Sequence, residues 1–187
     1  PSFHAAVDAG AATLMTAFSD LNGVPCTANA HLLRNVLRDE WRFHGFVVSD
    51  WESVREMIPH GYVANEKAAA AAAVRAGVNM EMASQTYHEH LASLVQEGEI
   101  SQSLLDKLVA EVLRVKFRLG LFEHPFTDEK QAPPSLPEHN LELSRQLARE
   151  SMVLLKNEHQ ALPLQRSKMK TIAVIGPLAD ARREQLG

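Results

Sequence analysis

The residue best equipped for chemistry is Asp50, which closes the run GFVVSD (residues 45–50) and precedes Trp51. The run is rich in β-branched residues and lacks polar alternation, the pattern of a parallel strand covered on both faces. In parallel α/β folds the carboxyl ends of strands carry the catalytic groups, because the loops there vary freely. A carboxylate at such an end, beside an indole, suits a sugar. The apolar face of a pyranose stacks on the ring while the carboxylate meets the anomeric carbon. With a reference pKa of about 3.9, an aspartate is ionised at neutral pH, as a nucleophile must be. The competing reading is structural: Asp50 caps the next helix and Trp51 belongs to the core.

Other residues offer weaker chemistry. His88 and His90 flank Glu89, but residues two apart on a helix point in different directions, so a solvated face is expected rather than a metal site. None of the nine histidines shows the HExxH or Cys/His spacing of a zinc site. Glu81 either points into a site or is a satisfied charge at a strand end. Met15, Met80 and Met82 read as core filling. TIAVIGPLAD (171–180) holds one of the three glycines of a dinucleotide fingerprint, and Pro177 removes a donor where phosphate would need one. Cys26 follows Pro25 with no evident activating partner and reads as an inert thiol. Neither a metal nor a cofactor is expected.

The elements that must position these residues alternate. ATLMTAF (12–18) predicts a buried strand, ended by the turn signal Asn22-Gly23-Val24-Pro25. Leu32, Leu33, Val36, Leu37 and Trp41 recur at helical spacing, with Asn29 as cap. After the strand at 45–50, EKAAAAAAVRAG (66–77) predicts a helix stopped by Gly77. VNMEM (78–82) predicts a third strand, and residues 85–97 a further helix. Parallel neighbours need crossovers, so the order reads as βα units of a barrel or a doubly wound sheet. Ser103 and Asp106 predict a capping box for a helix running to Leu119, with Leu105, Leu108, Val109, Val112, Leu113 and Phe117 as its apolar face.

Composition changes at residues 123–139, where Pro125, Pro133, Pro134 and Pro137 predict an extended linker. Beyond it a helix is predicted near 140–151, then a strand at TIAVIG (171–176), the opening of a second α/β domain.

The 187 residues carry a formal charge of −4, and 45% are hydrophobic. That mildly acidic balance lacks the basic footprint of a nucleic-acid binder. No apolar run approaches the roughly 18 residues of a membrane span. With one cysteine there is no internal disulfide framework.

Several strings taken together resemble one family. MTAFSDLNGVP (15–25), LLRNVLRDEW (32–41), GFVVSDW (45–51), AGVNMEM (76–82), VLRVKFRLGLF (112–122) and ARESMVLLKNE (148–158) are similar to the family 3 glycoside hydrolases, in their bacterial periplasmic β-glucosidase branch. The resemblance covers nearly the whole chain in the family's order. It implies an α/β architecture: residues 1–122 as the C-terminal βα units of a (β/α)8-type barrel, 123–139 as linker, and 140–187 as the start of an α/β sandwich. It implies retaining hydrolysis of β-linked glucose from the non-reducing end, with Asp50 as nucleophile and Trp51 lining the aglycone side. Phe18 stands where many members have Tyr, and with Met15 and Trp51 it completes the expected substrate-binding set. Asn79 stands where the family often has Asp, so that position is not expected to be essential to chemistry.

The family's acid/base, a Glu of the second domain, has no counterpart here, so the chain reads as a middle piece. A retaining mechanism needs two carboxyl groups about 5–5.5 Å apart. Glu52, Glu56, Glu66 and Glu81 lie near Asp50 in sequence, yet none matches the family's acid position. A partial barrel exposes sheet edges, so a complementing chain or a homo-oligomer is the expected partner besides a β-glucoside or oligosaccharide. The alternatives are a family 3 N-acetylhexosaminidase, against which Trp51 speaks, and a non-catalytic fragment. The resemblance implies a periplasmic or secreted location.

Overall fold

An alanine-rich stretch pays little side-chain entropy to become helical and leaves a thin rod that neighbours can approach closely. Residues Glu66–Ala76 (α2) use both properties in the computed structural model, which describes residues 1–128, 130 and 137–181. Asn65 starts α2, its Oδ1 accepting the Ala68 N–H at 2.9 Å, and Gly77 ends it at φ +105°. That left-handed turn is one only glycine adopts without strain. Ala69, Ala73 and Ala76 face one apolar cluster with Leu33, Leu37, Val47 and Met57. Ala70, Ala71 and Val74 face a second with Leu94, Ile100 and Leu108. Lys67 and Arg75 keep the remaining side of α2 at the surface, and the helix joins the two cores.

The chain divides into two units, Pro1–Thr127 and Asp128–Gly187. In the first, Ser2–Asp8 forms α1, followed by strand β1 (Thr13–Met15). A hairpin of β2 (Asp20–Leu21) and β3 (Val24–Pro25) leads to a helix at His31–Glu40 wound in the wide π pattern. Its closing bond runs from Trp41 N–H to Val36 C=O. The Asn29 side chain accepts the Leu32 N–H at 3.1 Å, as a cap should. Strand β4 (Phe46–Trp51), α2, β5 (Met80–Met82), α3 (Thr86–Gln96) and α4 (Gln102–Arg118) follow.

Among the described residues β1, β4 and β5 make one parallel sheet in the order β1-β4-β5. Thr13, Leu14 and Met15 stand opposite Phe46, Val47 and Val48. Central β4 therefore has a ladder on each side. No helix among the described residues is long and apolar enough to cross a membrane.

Four expectations are corrected. The strand expected at 12–18 spans three residues, and its side chains are half-buried or exposed because β1 has a single neighbour. Strand β4 is covered on one face: Val47 and Ser49 are buried, whereas Phe46, Val48 and Asp50 on the other face keep partial exposure. Helix α4 is capped by Ser101, whose Oγ accepts the Leu104 N–H at 3.2 Å, while Asp106 instead accepts from Gln102. The Ser103–Asp106 box does not form because the helix begins one residue before Ser103.

The fourth lies in the second unit. There Glu138–Glu150 forms α5, close to the helix expected at 140–151. Residues 171–176 form no strand among the described residues, and Ile175 is 91% exposed. A strand is held by a neighbour's ladder, and no other described segment of the unit supplies one. Residues 129 and 131–136 of the expected linker, with Pro133 and Pro134, lie outside the described residues, as do 182–187 of the expected second domain.

The entry into the sheet is tight. A Cβ built on Gly45 would sit 2.0 Å from the Ala12 carbonyl oxygen, whose acceptor role to the Phe46 N–H holds β1 against β4. Gly45→Ala is therefore expected to cost about 2–3 kcal/mol or more, since backbone must move to admit the methyl. Urea unfolding of the variant beside the parent measures it, and an unchanged midpoint refutes the account.

Candidate functional site

The site is built around the carboxyl end of β4. Val48 pairs with Met80 and Trp51 with Met82, so β4 spends three residues where β5 spends two. The extra residue makes a β-bulge, a device that bends the strand and re-aims side chains. Asp50 lies within it, half-exposed on the face opposite the helix-packed residues Val47 and Ser49. Its Oδ1 accepts the Trp51 N–H at 2.7 Å, and its carbonyl accepts the Ser53 N–H at 3.1 Å. Glu52 follows at φ +54°, its N–H donating to the Met82 carbonyl. The chain thus turns sharply away just after the carboxylate.

Neutral hydroxyls tie the surrounding loops. The buried Thr16, Thr27 and Ser53 form a chain, Thr16 to Thr27 at 2.9 Å and Thr27 to Ser53 at 3.0 Å. It joins the end of β1, the turn after the hairpin and the turn after β4. The hairpin is also held by His60 Nδ1 to Asp20 Oδ1 at 3.0 Å.

Met15 ends β1 and Phe18 follows it, so both share the carboxyl end of the sheet with Asp50 and Trp51. Trp51 is 64% exposed and so is not core; Phe18 is 42% exposed. Met15 is 51% exposed, against the expectation of core filling, which fails for Met80 as well. The reason is that each ends or begins a short strand with one neighbour. Met15 lines an apolar cavity of about 260 Å³ with Phe3, Leu32, Val36 and Trp41. Asp50 and Trp51 do not line that cavity. Cys26 borders it, and burial, with the Asp20 charge second, pushes its thiol above the ordinary range, as an inert thiol requires.

Glu81 resolves as the satisfied charge. Its carboxylate accepts from Ser84 Oγ at 2.9 Å, Thr86 Oγ1 at 2.6 Å and the Tyr87 N–H at 2.7 Å, locking β5 to the start of α3. Of the residues weighed for a metal, His90 and Glu89 come together with Glu66, their ligand atoms within 4.8 Å, whereas His88 does not join them. The Arg55 Nε already pairs with Glu66 at 3.0 Å, placing a positive charge on the group.

Sequence patterns passed over a polar knot at the opposite, amino end of the sheet. Asn79 Oδ1 accepts the Val47 N–H at 2.8 Å and Arg38 Nη2 at 3.2 Å. Its Nδ2 donates to Glu111 Oε2 at 2.7 Å and to the Leu108 carbonyl at 2.9 Å. Arg38 also donates to Glu111 at 2.8 Å and to the carbonyls of Phe43 and Gly45. Burial, aided by Arg34 and Arg114, lowers the Arg38 pKa, while Glu111 pulls it upward. No sequence pattern pointed to Glu111, because α4 buries Leu108, Glu111 and Val115 while Val109, Leu113 and Phe117 of the expected apolar face are exposed.

Comparison with known proteins agrees with this architecture. The model of the glycosyl hydrolase family 3 N terminal domain matches residues 1–115, and that of the family 3 C-terminal domain matches residues 152–187. A periplasmic beta-glucosidase of Salmonella typhimurium is 42% identical over the whole chain, which spans 25% of that relative. A putative beta-xylosidase of Formosa agariphila is 36% identical over 95% of the chain and 24% of its own length. Among solved structures, a beta-glucosidase from Listeria innocua in complex with glucose superposes with a TM-score of 0.73 at 41% identity, over 88% of this chain and 23% of that one. The chain thus spans about a quarter of the length of the relatives it matches.

Two outcomes follow from these contacts. Asn79→Asp would set a carboxylate where an amide now donates to Glu111 at 2.7 Å. A loss of about 2–3 kcal/mol is expected, with Glu111→Gln recovering part of it. Unfolding of the two single variants, the double variant and the parent measures the coupling, and strict additivity refutes it. Separately, burial foremost and then Glu81 raise the Tyr87 phenol well above its ordinary value of 10.0. The folded state then favours the neutral phenol. That stability is present below pH about 10 and is lost as pH rises from there toward the folded pKa. Denaturant midpoints should fall above pH about 10 in the parent and fall less steeply in Tyr87→Phe, after the constant loss of its 2.9 Å bond to the Val78 carbonyl.

Proposed function

Because the chain belongs to glycosyl hydrolase family 3, we propose that it carries the nucleophile of a retaining, exo-acting β-glucosidase. The observation that supports this is the place of Asp50, at the carboxyl end of the central parallel strand with its side chain on the partly open face. Residues 1–122 are then the last βα units of a (β/α)8-type barrel, 123–139 its linker and 140–187 the beginning of an α/β sandwich. The separate family matches at 1–115 and 152–187 favour that division.

In the first step an Asp50 carboxylate oxygen bonds to the anomeric carbon as the bond from that carbon to the leaving oxygen breaks. The leaving oxygen takes a proton from a general acid. In the second step water, deprotonated by the same group, displaces Asp50 and releases the sugar with retained configuration. Trp51, largely exposed beside Asp50, offers an indole face for the aglycone, with Phe18 and Met15 on the same end of the sheet. Three of the four carboxyls near Asp50 in sequence are poorly suited to the acid role. Glu81 accepts three hydrogen bonds, and Glu66 and Glu52 pair with Arg55. The acid/base is then a Glu outside the 187 residues.

A β-glucoside is favoured over a β-xyloside because the beta-glucosidase relative is 42% identical against 36% for the putative beta-xylosidase. The periplasmic relative in Salmonella favours a periplasmic or secreted location.

A fluorinated dinitrophenyl glucoside forms a long-lived glycosyl-enzyme, and its leaving group departs without an acid. Incubated with the protein expressed from its complete gene and mapped by peptide mass, the label is expected on Asp50. Asp50→Ala should abolish labelling and lower aryl-glucoside turnover by at least about 10³-fold. A label on a peptide lacking Asp50 overturns the assignment.

A further inference from the structure

Within β4 one side chain departs from its surroundings. Ser49 is a polar residue on the buried face of an apolar strand, 0% exposed, immediately before Asp50. Its hydroxyl uses both of its capacities. It accepts the Met82 N–H at 2.8 Å and donates to the Asp50 carbonyl at 2.9 Å. Asp50 lies within the bulge, between Val48 and Trp51, and Met82 stands across from it on β5 as the partner of Trp51. A bulge disrupts the local ladder, so the backbone there has more freedom than in a regular pair. A buried hydroxyl bridging it removes that freedom.

We infer that Ser49 is the positioning residue of the site: its hydroxyl pins the bulge and thereby sets the direction in which the Asp50 carboxylate points. This inference rests on the reading of Asp50 as nucleophile. Ser49 touches no reacting atom and acts through the Asp50 backbone alone. An alanine here leaves the Met82 N–H and the Asp50 carbonyl without the bridge, so the carboxylate samples directions other than that of attack. A displacement of about 1 Å at a reacting atom costs about 100-fold. Sugar binding, which draws on the surrounding surface, should change little.

The test uses the protein expressed from its complete gene and the same fluorinated dinitrophenyl glucoside. Inactivation kinetics separate the binding constant of the probe from the rate of covalent trapping. Ser49→Ala is expected to slow trapping by about 10- to 100-fold while the binding constant stays within about twofold. The pair Ser49→Thr and Ser49→Val adds equal bulk to the buried site and differs only in the hydroxyl. Thr should trap at least about tenfold faster than Val, and this comparison holds even where Ser49→Ala folds poorly. Equal trapping by Thr and Val, or trapping by a folded Ser49→Ala at the parent rate, overturns the inference while the label remains on Asp50. A label away from Asp50 in the parent overturns the nucleophile reading itself.

Discussion

The site depends on a strand that is hydrogen-bonded along both of its edges. Strand β4 is held by β1 on one side and β5 on the other, in parallel register. A strand so held cannot slip or rotate, since a shift of one residue would exchange its buried and open faces. Val47 and Ser49 thus stay against the helices, and Asp50 stays on the other side. The bulge relaxes this constraint only where β4 ends, and there the backbone turns through Glu52 at φ +54°. Rigidity comes from the ladder, and direction comes from its single irregularity.

The two ends of the sheet are secured by different chemistry. At the amino end Arg38, Asn79 and Glu111 form a charged knot, with Asn79 as the one group that both accepts from Arg38 and donates to Glu111. Asn79 works there because an amide presents both polarities at once. At the carboxyl end the hydroxyls of Thr16, Thr27, Ser49 and Ser53 work beside the Glu81 carboxylate and the His60–Asp20 contact. Hydroxyls satisfy buried backbone and one another without bringing a further ion into the interior, whose desolvation would have to be offset.

The second unit shows what sequence periodicity alone does not secure. Met152, Val153, Leu154 and Leu155 are exposed, as are Ile172, Val174 and Ile175, although both runs have the composition of buried strands. Apolar strands are stabilised by pairing and by a covering layer. Among the described residues of this unit α5 is the one long regular element, and no ladder forms.

Local features were legible in the sequence because they depend on neighbours in the chain. The stop of α2 at Gly77, the cap at Asn29 and the strand that carries Asp50 all follow from propensity and spacing. The cap of α4 lies two residues before the expected Ser103, since Ser101 and Ser103 offer equivalent hydroxyls and the helix start chooses between them. The family, too, could be recognised from short strings in order. Tertiary structure decided the rest. That Ser49 spans a bulge, that Glu81 is consumed by Ser84, Thr86 and Tyr87, and that Glu111 meets Arg38 from 73 residues away are matters of register and packing. Such contacts join residues whose separation along the chain carries no period, so no one-dimensional pattern encodes them, and they become definite only when the parallel strands and their helices close on one another.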